Sequence, residues 1–498
     1  MRGTELTIGR WLADRARASP TRIAIEYLGT TVTYEELDAR ANRFAAGLAA
    51  RGLRRGDRLA TLTSTSPDHV ALLFGCARLG VALQPLSWRL AAEELAYQLA
   101  DAEPSLLVVS AEHNALAREI RSSVTVEEIA SVGIEGEATV RDVAEDHDPL
   151  LLVYTSGTTG KPKGAALTHA NCFWTNLSFD RLSELRESDV ALQVLPQFHV
   201  GGWNVQPLLA WWKGATVVLE PSFDAARALR LIEERRVTTM MGVPANYMFL
   251  SQDPHFERAD LSSLRLAVVG GAPMPELLLE TWRDRGVEIV QGYGLTEAAP
   301  NVLCLPPEDA VRKLGFAGKP YPHVDVALRD PEKGVLREGA ATGELVVRGP
   351  NVFAGYWRNP NATAAAFADG WLLTGDVAER DSEGYYRIVD RIKDMVISGG
   401  ENVYPAEIEA VLRTHPAVGD AAVVGIPDER WGEACLAFVV LAAGESASEA
   451  ELLDHCRNTI ARFKVPRAIR FLEVLPRSAM NKVAKDELRT LGTREEAR

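Results

Sequence analysis

The feature that most constrains this chain is the regular exchange of helix-like and strand-like hydrophobic periods along it. Thr33-Tyr34-Glu35-Glu36 has capping-box spacing, and Leu37, Ala41, Phe44, Ala45 and Leu48 recur at helical intervals until Gly52 stops the run. Residues 58–62 read as a strand, 67–79 as a helix closed by Gly80, and 81–86 as the next apolar run. The rhythm returns with strands expected at 106–109, 215–219, 266–269 and 288–290, and helical runs such as 225–235 between them. Such alternation predicts an α/β architecture. From Gly343 onward, shorter β runs at 344–348, 370–374 and 385–389 predict a β-rich subdomain closing the large domain. Beyond Asp390-Arg391-Ile392-Lys393-Asp394 the pattern turns compact α+β, with helices at 406–414 and 449–462 and strands at 420–425, 435–440 and 469–474. The expected division is an N-terminal domain over 1–390 with α/β layers and the β-rich subdomain, and a small, mobile α+β C-terminal domain over 391–498.

Behind the apolar run 150–153 comes Tyr154-Thr155-Ser156-Gly157-Thr158-Thr159-Gly160-Lys161-Pro162-Lys163-Gly164. Glycines let backbone N–H groups approach an anion, short hydroxyls add donors, and Lys161 and Lys163 add compact positive charge, so the loop is suited to polyphosphate. It is not a Walker loop, which continues Gly-Lys with Ser or Thr and opens a helix. Here Pro162 follows Lys161 and disfavours helical geometry before it. The bland alternative is a polar surface turn.

At 498 residues and 47% hydrophobic, the chain exceeds one ordinary core and is expected to form several domains or subdomains. Its net charge of −14 argues against nucleic acid and anionic membranes as partners, while leaving room for a local basic nucleotide pocket. Cys76, Cys172, Cys304, Cys435 and Cys456 are scattered and lack metal-ligand spacing, so they read as reduced thiols. Charges at Arg2, Glu5, Arg10, Asp14 and Arg15 interrupt the N-terminal apolar residues, and no later run is long enough to span a bilayer. A soluble cytoplasmic protein without an integral membrane segment is expected.

The loop at 154–164 resembles the phosphate-loop signature of the adenylate-forming superfamily of acyl-CoA synthetases, peptide-synthetase adenylation domains and firefly luciferase. Further strings resemble its motifs in order. The resemblance implies that Thr155, Ser156, Gly157, Thr158, Thr159 and Lys163 grip the phosphates of ATP. Gly270-Gly271-Ala272-Pro273 resembles the adenine-side loop. In Gln291-Gly292-Tyr293-Gly294-Leu295-Thr296-Glu297 the tyrosine would flank adenine, Thr296 bind the α-phosphate and Glu297 hold Mg²⁺. Thr374-Gly375-Asp376 and Arg391 resemble the ribose-contacting aspartate and arginine, and Lys393 the hinge. Leu195-Pro196-Gln197-Phe198-His199-Val200-Gly201-Gly202 resembles the carboxylate-receiving segment, with His199 as an aromatic gate or, alternatively, a structural histidine. Gly399 and Gly400, within Met395-Val396-Ile397-Ser398-Gly399-Gly400-Glu401, match the loop that admits pantetheine. Pro476-Arg477-Ser478-Ala479-Met480-Asn481-Lys482-Val483 resembles the segment of the adenylation lysine, with Asn481 where a glycine is usual; Lys482 is preferred and Lys485 competes.

The superfamily's chemistry then implies an ATP- and Mg²⁺-dependent ligase that forms acyl-AMP and passes the acyl group to CoA, nearest to fatty-acid or aryl acid CoA ligases. Residues 198–202 carry no aspartate to pair with a substrate ammonium, so an α-amino acid is not expected. Gly201 departs from the tyrosine of plant coumarate ligases, and Gly292 from the arginine of malonate-type ligases. An apolar monocarboxylate remains, with Trp203, Val268 and Leu295 as wall or simply core residues. A stand-alone enzyme loading a carrier protein and a luciferase-like oxygenase are the alternatives. The acid and CoA are the implied partners, and a homodimer is left open.

Overall fold

The computed structural model describes residues 5–133, 142–155, 161–398, 401–428, 432–460, 462–477 and 482–496. The chain divides into two compact units: Met1–Val326 with Val346–Leu373, and Ala327–Leu345 with Thr374–Arg498. This division runs through the strands Asp325–Arg329, Ala341–Arg348 and Trp371–Arg380, so the β-rich segment is shared between the units along the chain. Both units mix α and β structure, as the alternation predicts.

Among the described residues the larger unit contains a nine-stranded sheet. From Ile289–Gly294 through Leu266–Val269, Thr239–Gly242, Val190–Gln193 and Thr216–Leu219 to Ile23–Tyr27, neighbouring strands pair in parallel. Antiparallel strands flank this run, Thr30–Thr33 at one edge and Asn301–Cys304 with Lys319–Pro320 at the other. Parallel strands covered on both faces need apolar side chains at every position. Leu266–Val269 is buried throughout, which is why it was legible as an unbroken apolar run.

A seven-stranded sheet in the same unit places Arg58–Leu62 between Ala82–Pro85 and Leu106–Val109, all parallel. It ends in antiparallel strands Pro149–Thr155, Lys163–Thr168 and Gly355–Tyr356. Helix Tyr34–Ala50 begins at the expected capping box: Thr33 Oγ1 accepts from the Glu36 amide, and the Glu36 carboxylate accepts from the Thr33 amide. It packs against helix Pro67–Leu79, where a Cβ on Gly75 would lie 3.0 Å from the Ala41 carbonyl oxygen. Gly80 ends that second helix in the left-handed conformation, φ 65°.

In the smaller unit, Gly432–Leu441 is paired antiparallel with Val418–Asp428 and parallel with Ala468–Phe471. The two-residue period of Val418–Asp428 sends Ala421 and Val423 to one face, where helices Pro405–Arg413 and Glu449–Thr459 contribute Ile408, Leu412, Leu452 and Cys456. Ala422, Val424 and Ile426 go to the other face, against Leu488 of the helix Lys485–Glu496. No helix among the described residues is long and apolar enough to cross a membrane. All five cysteines are buried free thiols.

Candidate active site

The phosphate-type loop connects two antiparallel strands, with Thr155 opposite Lys163 and Tyr154 opposite Gly164. Ser156, Gly157, Thr158 and Thr159 lie outside the described residues, as do Gly399, Gly400 and Asn481. The stem of the loop is held from helix Ala92–Ala102: Tyr154 Oη donates to Asp101 at 2.6 Å, and Tyr97 Oη donates to the Pro162 carbonyl at 3.2 Å. The spacing of Tyr97 and Asp101 puts them on one helix face. Burial, with Asp101 beside it, raises the Tyr154 phenol well above its usual range, so it stays a donor.

Gln291, Gly292, Tyr293 and Gly294 form the end of the strand Ile289–Gly294, and Thr296 and Glu297 lie in the following 3₁₀ turn, Thr296–Ala298. The turn and the loop meet: Thr155 Oγ1 donates to Glu297 Oε1 at 3.2 Å. Tyr356 Oη donates to the same oxygen at 2.9 Å, and Lys163 Nζ lies 5.0 Å from the centre of the Tyr356 ring. Among the described residues Oε2 of Glu297 has no partner, so one hard anionic oxygen is available while the other is held by two hydroxyls. That donor suits Mg²⁺, which takes a carboxylate together with substrate phosphates rather than a closed protein cage. No group of three or more His, Cys, Asp or Glu side chains among the described residues forms such a cage.

Gly270, Gly271 and Ala272 follow the strand Leu266–Val269, whose partner is the strand bearing Gln291 and Gly292. A Cβ on Gly270 would lie 3.3 Å from the Gly292 carbonyl oxygen, and Gly271 has φ +80°. His199 is half-buried, its ring centroid 4.7 Å from that of Phe198. The segment around it rests on buried polar contacts: His69 Nδ1 is 2.9 Å from Gln197 Oε1, and Trp203 Nε1 donates to the Gln197 carbonyl at 2.6 Å. Burial pushes His69 down to about 4, so its imidazole is neutral at pH 7. Trp203 and Val268 are buried and Leu295 is half-buried.

In the smaller unit Asp376 and Arg391 face each other across paired strands, with Asp376 Oδ1 2.9 Å from Arg391 Nε. The carboxylate side chain is 5% exposed and the arginine 52%. Thr374 Oγ1 accepts from the Asp376 amide and donates to the Leu345 carbonyl, fixing the turn before the aspartate. Lys393 occupies the 3₁₀ turn Ile392–Asp394. Lys482 is exposed, beside the bridge that pairs Arg477 with Val483. Lys485 opens the last helix and lies 2.9 Å from Glu409 Oε1 in a mostly buried ion pair.

The AMP-binding enzyme model matches residues 12–357, and the AMP-binding enzyme C-terminal domain model matches residues 407–482. The chain belongs to the AMP-binding enzyme family. Feruloyl-CoA synthase of an Amycolatopsis species is 42% identical over 97% of this chain and 98% of its own. Indoleacetate–CoA ligase of Aromatoleum aromaticum is 40% identical over 98% and 99%. The solved O-succinylbenzoate coenzyme A synthetase of Bacillus subtilis, in complex with ATP and a magnesium ion, has a TM-score of 0.89 and 35% identity, covering 96% of this chain and 98% of that one.

Within this AMP-binding enzyme the motif residues fall into two groups that the fold assembles locally. The larger unit joins Thr155, Lys163 and Glu297 through Tyr356, and lays the adenine-type glycines beside Gly292. The smaller unit joins Asp376 to Arg391. Tyr356, Tyr97, Asp101, Gln197 and His69 were not singled out from the sequence. Only Gln197 lies inside a quoted motif, and no local pattern marks the others.

Proposed function

We propose that this AMP-binding enzyme is an ATP-dependent carboxylic acid:CoA ligase, AMP-forming, whose substrate is an apolar monocarboxylate of the fatty, aryl or alicyclic kind. What carries the reading is that relatives named for CoA ligation of two aryl acids match the chain almost end to end. In the first half-reaction a carboxylate oxygen bonds to the α-phosphorus of ATP and pyrophosphate leaves with the electrons of the broken P–O bond. In the second, the CoA sulfur bonds to the acyl carbon and AMP leaves.

The proposed roles are those that the resemblance of the motifs implies. Thr155, Ser156, Gly157, Thr158, Thr159, Lys163 and Thr296 hold phosphate oxygens. Gly270, Gly271, Ala272, Gln291, Gly292, Tyr293 and Gly294 surround the base, and Asp376 with Arg391 receives the ribose hydroxyls. Lys482 places its charge between carboxylate and α-phosphate, two anions that repel each other until neutralised. Mg²⁺, held by Glu297 when bound, supplies further neutralisation of the polyphosphate. His199 gates the acyl channel. Lys393 is the proposed hinge by which residues 391–498 turn, exchanging Lys482 for the Gly399-Gly400 loop between half-reactions. The proposal places the enzyme in the cytoplasm.

Gly201 and Gly292 support an uncharged acyl slot. A Cβ on either would meet protein atoms only at ordinary contact distances, the nearest at 3.7 and 3.5 Å, so protein packing does not require glycine there. The test is ATP–pyrophosphate exchange across fatty, aryl and alicyclic acids, amino acids and malonate. Apolar monocarboxylates are expected to exceed the others by at least about tenfold, roughly 1.4 kcal/mol of transition-state binding. Equal or better use of malonate or of any amino acid would overturn the substrate class.

A further inference from the structure

We propose that Tyr356 is a positioning residue of the nucleotide site, holding Glu297 by one carboxylate oxygen so that the other is left for the divalent cation that accompanies ATP. The inference rests on the ligase reading above. The strand Gly355–Tyr356 is stitched to the loop strand through Gly355 opposite Ala166 and Tyr356 opposite Ala165, and the Trp357 amide donates to the Gly164 carbonyl at 2.7 Å. The same segment holds the backbone of Glu297, whose carbonyl accepts from the Phe353 amide at 2.8 Å. Gly355 has φ +135°, a conformation that favours glycine, and Thr363 Oγ1 accepts from the Tyr356 amide at 2.9 Å. Phe353 packs edge-on against the Tyr356 ring at 4.9 Å. The ring is therefore fixed from several sides before any ligand arrives.

Tyr356 contacts two opposite charges. Lys163 Nζ sits 5.0 Å from the ring centre while the hydroxyl engages Glu297, and no ion pair forms between Lys163 and Glu297. Direct pairing would spend both charges on each other. With the lysine at the ring and the carboxylate at the hydroxyl, the lysine stays available to phosphate and the carboxylate to the cation. The hydroxyl faces a carboxylate oxygen, which can only accept, so the phenol is the donor of that bond.

The test is calorimetric binding of ATP, with excess Mg²⁺ and with EDTA, to the full chain and its Tyr356→Phe variant. Phenylalanine keeps the ring over Lys163 and removes only the donor. In Mg²⁺ the variant should bind ATP about tenfold more weakly, the low end for a bond to a charged group, while in EDTA it should change by less than about twofold. Unchanged binding in both media overturns the proposal, and so does an equal loss in both, which marks a merely structural tyrosine. If circular dichroism shows Tyr356→Phe unfolded, the hydroxyl is structural and the proposal is overturned as well. Failure of the unmodified protein to bind ATP in either medium contradicts the ligase reading itself, and the inference with it.

Discussion

Lys482 and Lys485 share one short segment, yet their surroundings assign them different work. Lys485 Nζ lies 2.9 Å from Glu409, whose other contacts include the Val423 amide donating to Oε1 at 2.8 Å. Burial alone would lower Lys485, but Glu409 and Asp390 outweigh it and the lysine is raised, a charge committed to the interior. Lys485→Ala should therefore cost about 3 kcal/mol in denaturant unfolding, because the largely buried Glu409 keeps only a long 3.8 Å contact to Arg413 as its counter-charge. Lys482→Ala, at an exposed position, should leave unfolding unchanged and slow acyl-AMP formation by about 10²- to 10³-fold. If Lys485→Ala instead unfolds normally and loses adenylation, the two lysines have been exchanged. Asp376→Ala should weaken ATP use by about 1.5 to 3 kcal/mol, read as the ATP dependence of exchange; an unchanged dependence would make the Asp376–Arg391 pair purely structural. Asp376 and Arg391 were legible in sequence because each sits in its own short motif. Tyr356 was not, since its value lies in reaching Glu297 and Lys163 from a strand distant in sequence.

Elements built from local signals matched their expectation closely: helix Tyr34–Ala50 from its capping box, and strands Arg58–Leu62 and Leu106–Val109 from unbroken apolar runs. Strand Lys163–Thr168 was missed because its first residues also read as the end of a polar loop, and its pairing with Pro149–Thr155 depends on long-range register. Strand Ile289–Gly294 shows how two glycines of one motif differ. A Cβ on Gly294 would lie 1.9 Å from the Pro300 carbonyl oxygen, whereas at Gly292 the nearest atom is 3.5 Å away. Gly294→Ala should thus lower the thermal midpoint measurably, while Gly292→Ala should melt like the unmodified chain and show its effect in ATP–pyrophosphate exchange, through the base or the acid it adjoins. Helix His169–Ser183 carries a pH dependence at its first residue. The Ile8 amide donates to His169 Nδ1 at 3.1 Å, so the neutral ring carries its proton on Nε2. Burial pushes His169 down to about 4 from 6.5, so the unfolded chain takes up the proton first; this stability is full above about pH 6.5 and lost as pH falls toward 4. His169→Asn, whose Oδ1 can accept from Ile8 without titrating, should flatten the fall in thermal midpoint over that window. An equally steep fall would place the titration elsewhere.

At the scale of the molecule, the larger unit carries the phosphate-loop and adenine-type motifs, and the smaller carries Asp376, Arg391 and Lys482. A catalyst that joins two anions and later admits a thiol to the same acyl carbon needs different groups at that carbon in each step. The proposed turn at Lys393 supplies the exchange, so Lys482→Ala should still convert supplied acyl-AMP and CoA to thioester. Gly400→Leu should form acyl-AMP and fail at thioester formation. Parallel loss of both steps in both variants would refute the turning domain. The most direct measurement of the whole account is a single-turnover experiment with enzyme, MgATP and an apolar monocarboxylate, followed by CoA. Acyl-AMP should accumulate with matching pyrophosphate release, then disappear on adding CoA as AMP and acyl-CoA appear together. Absence of acyl-AMP, or an acyl-AMP that survives CoA and discharges only to a carrier protein or to oxygen, would contradict it.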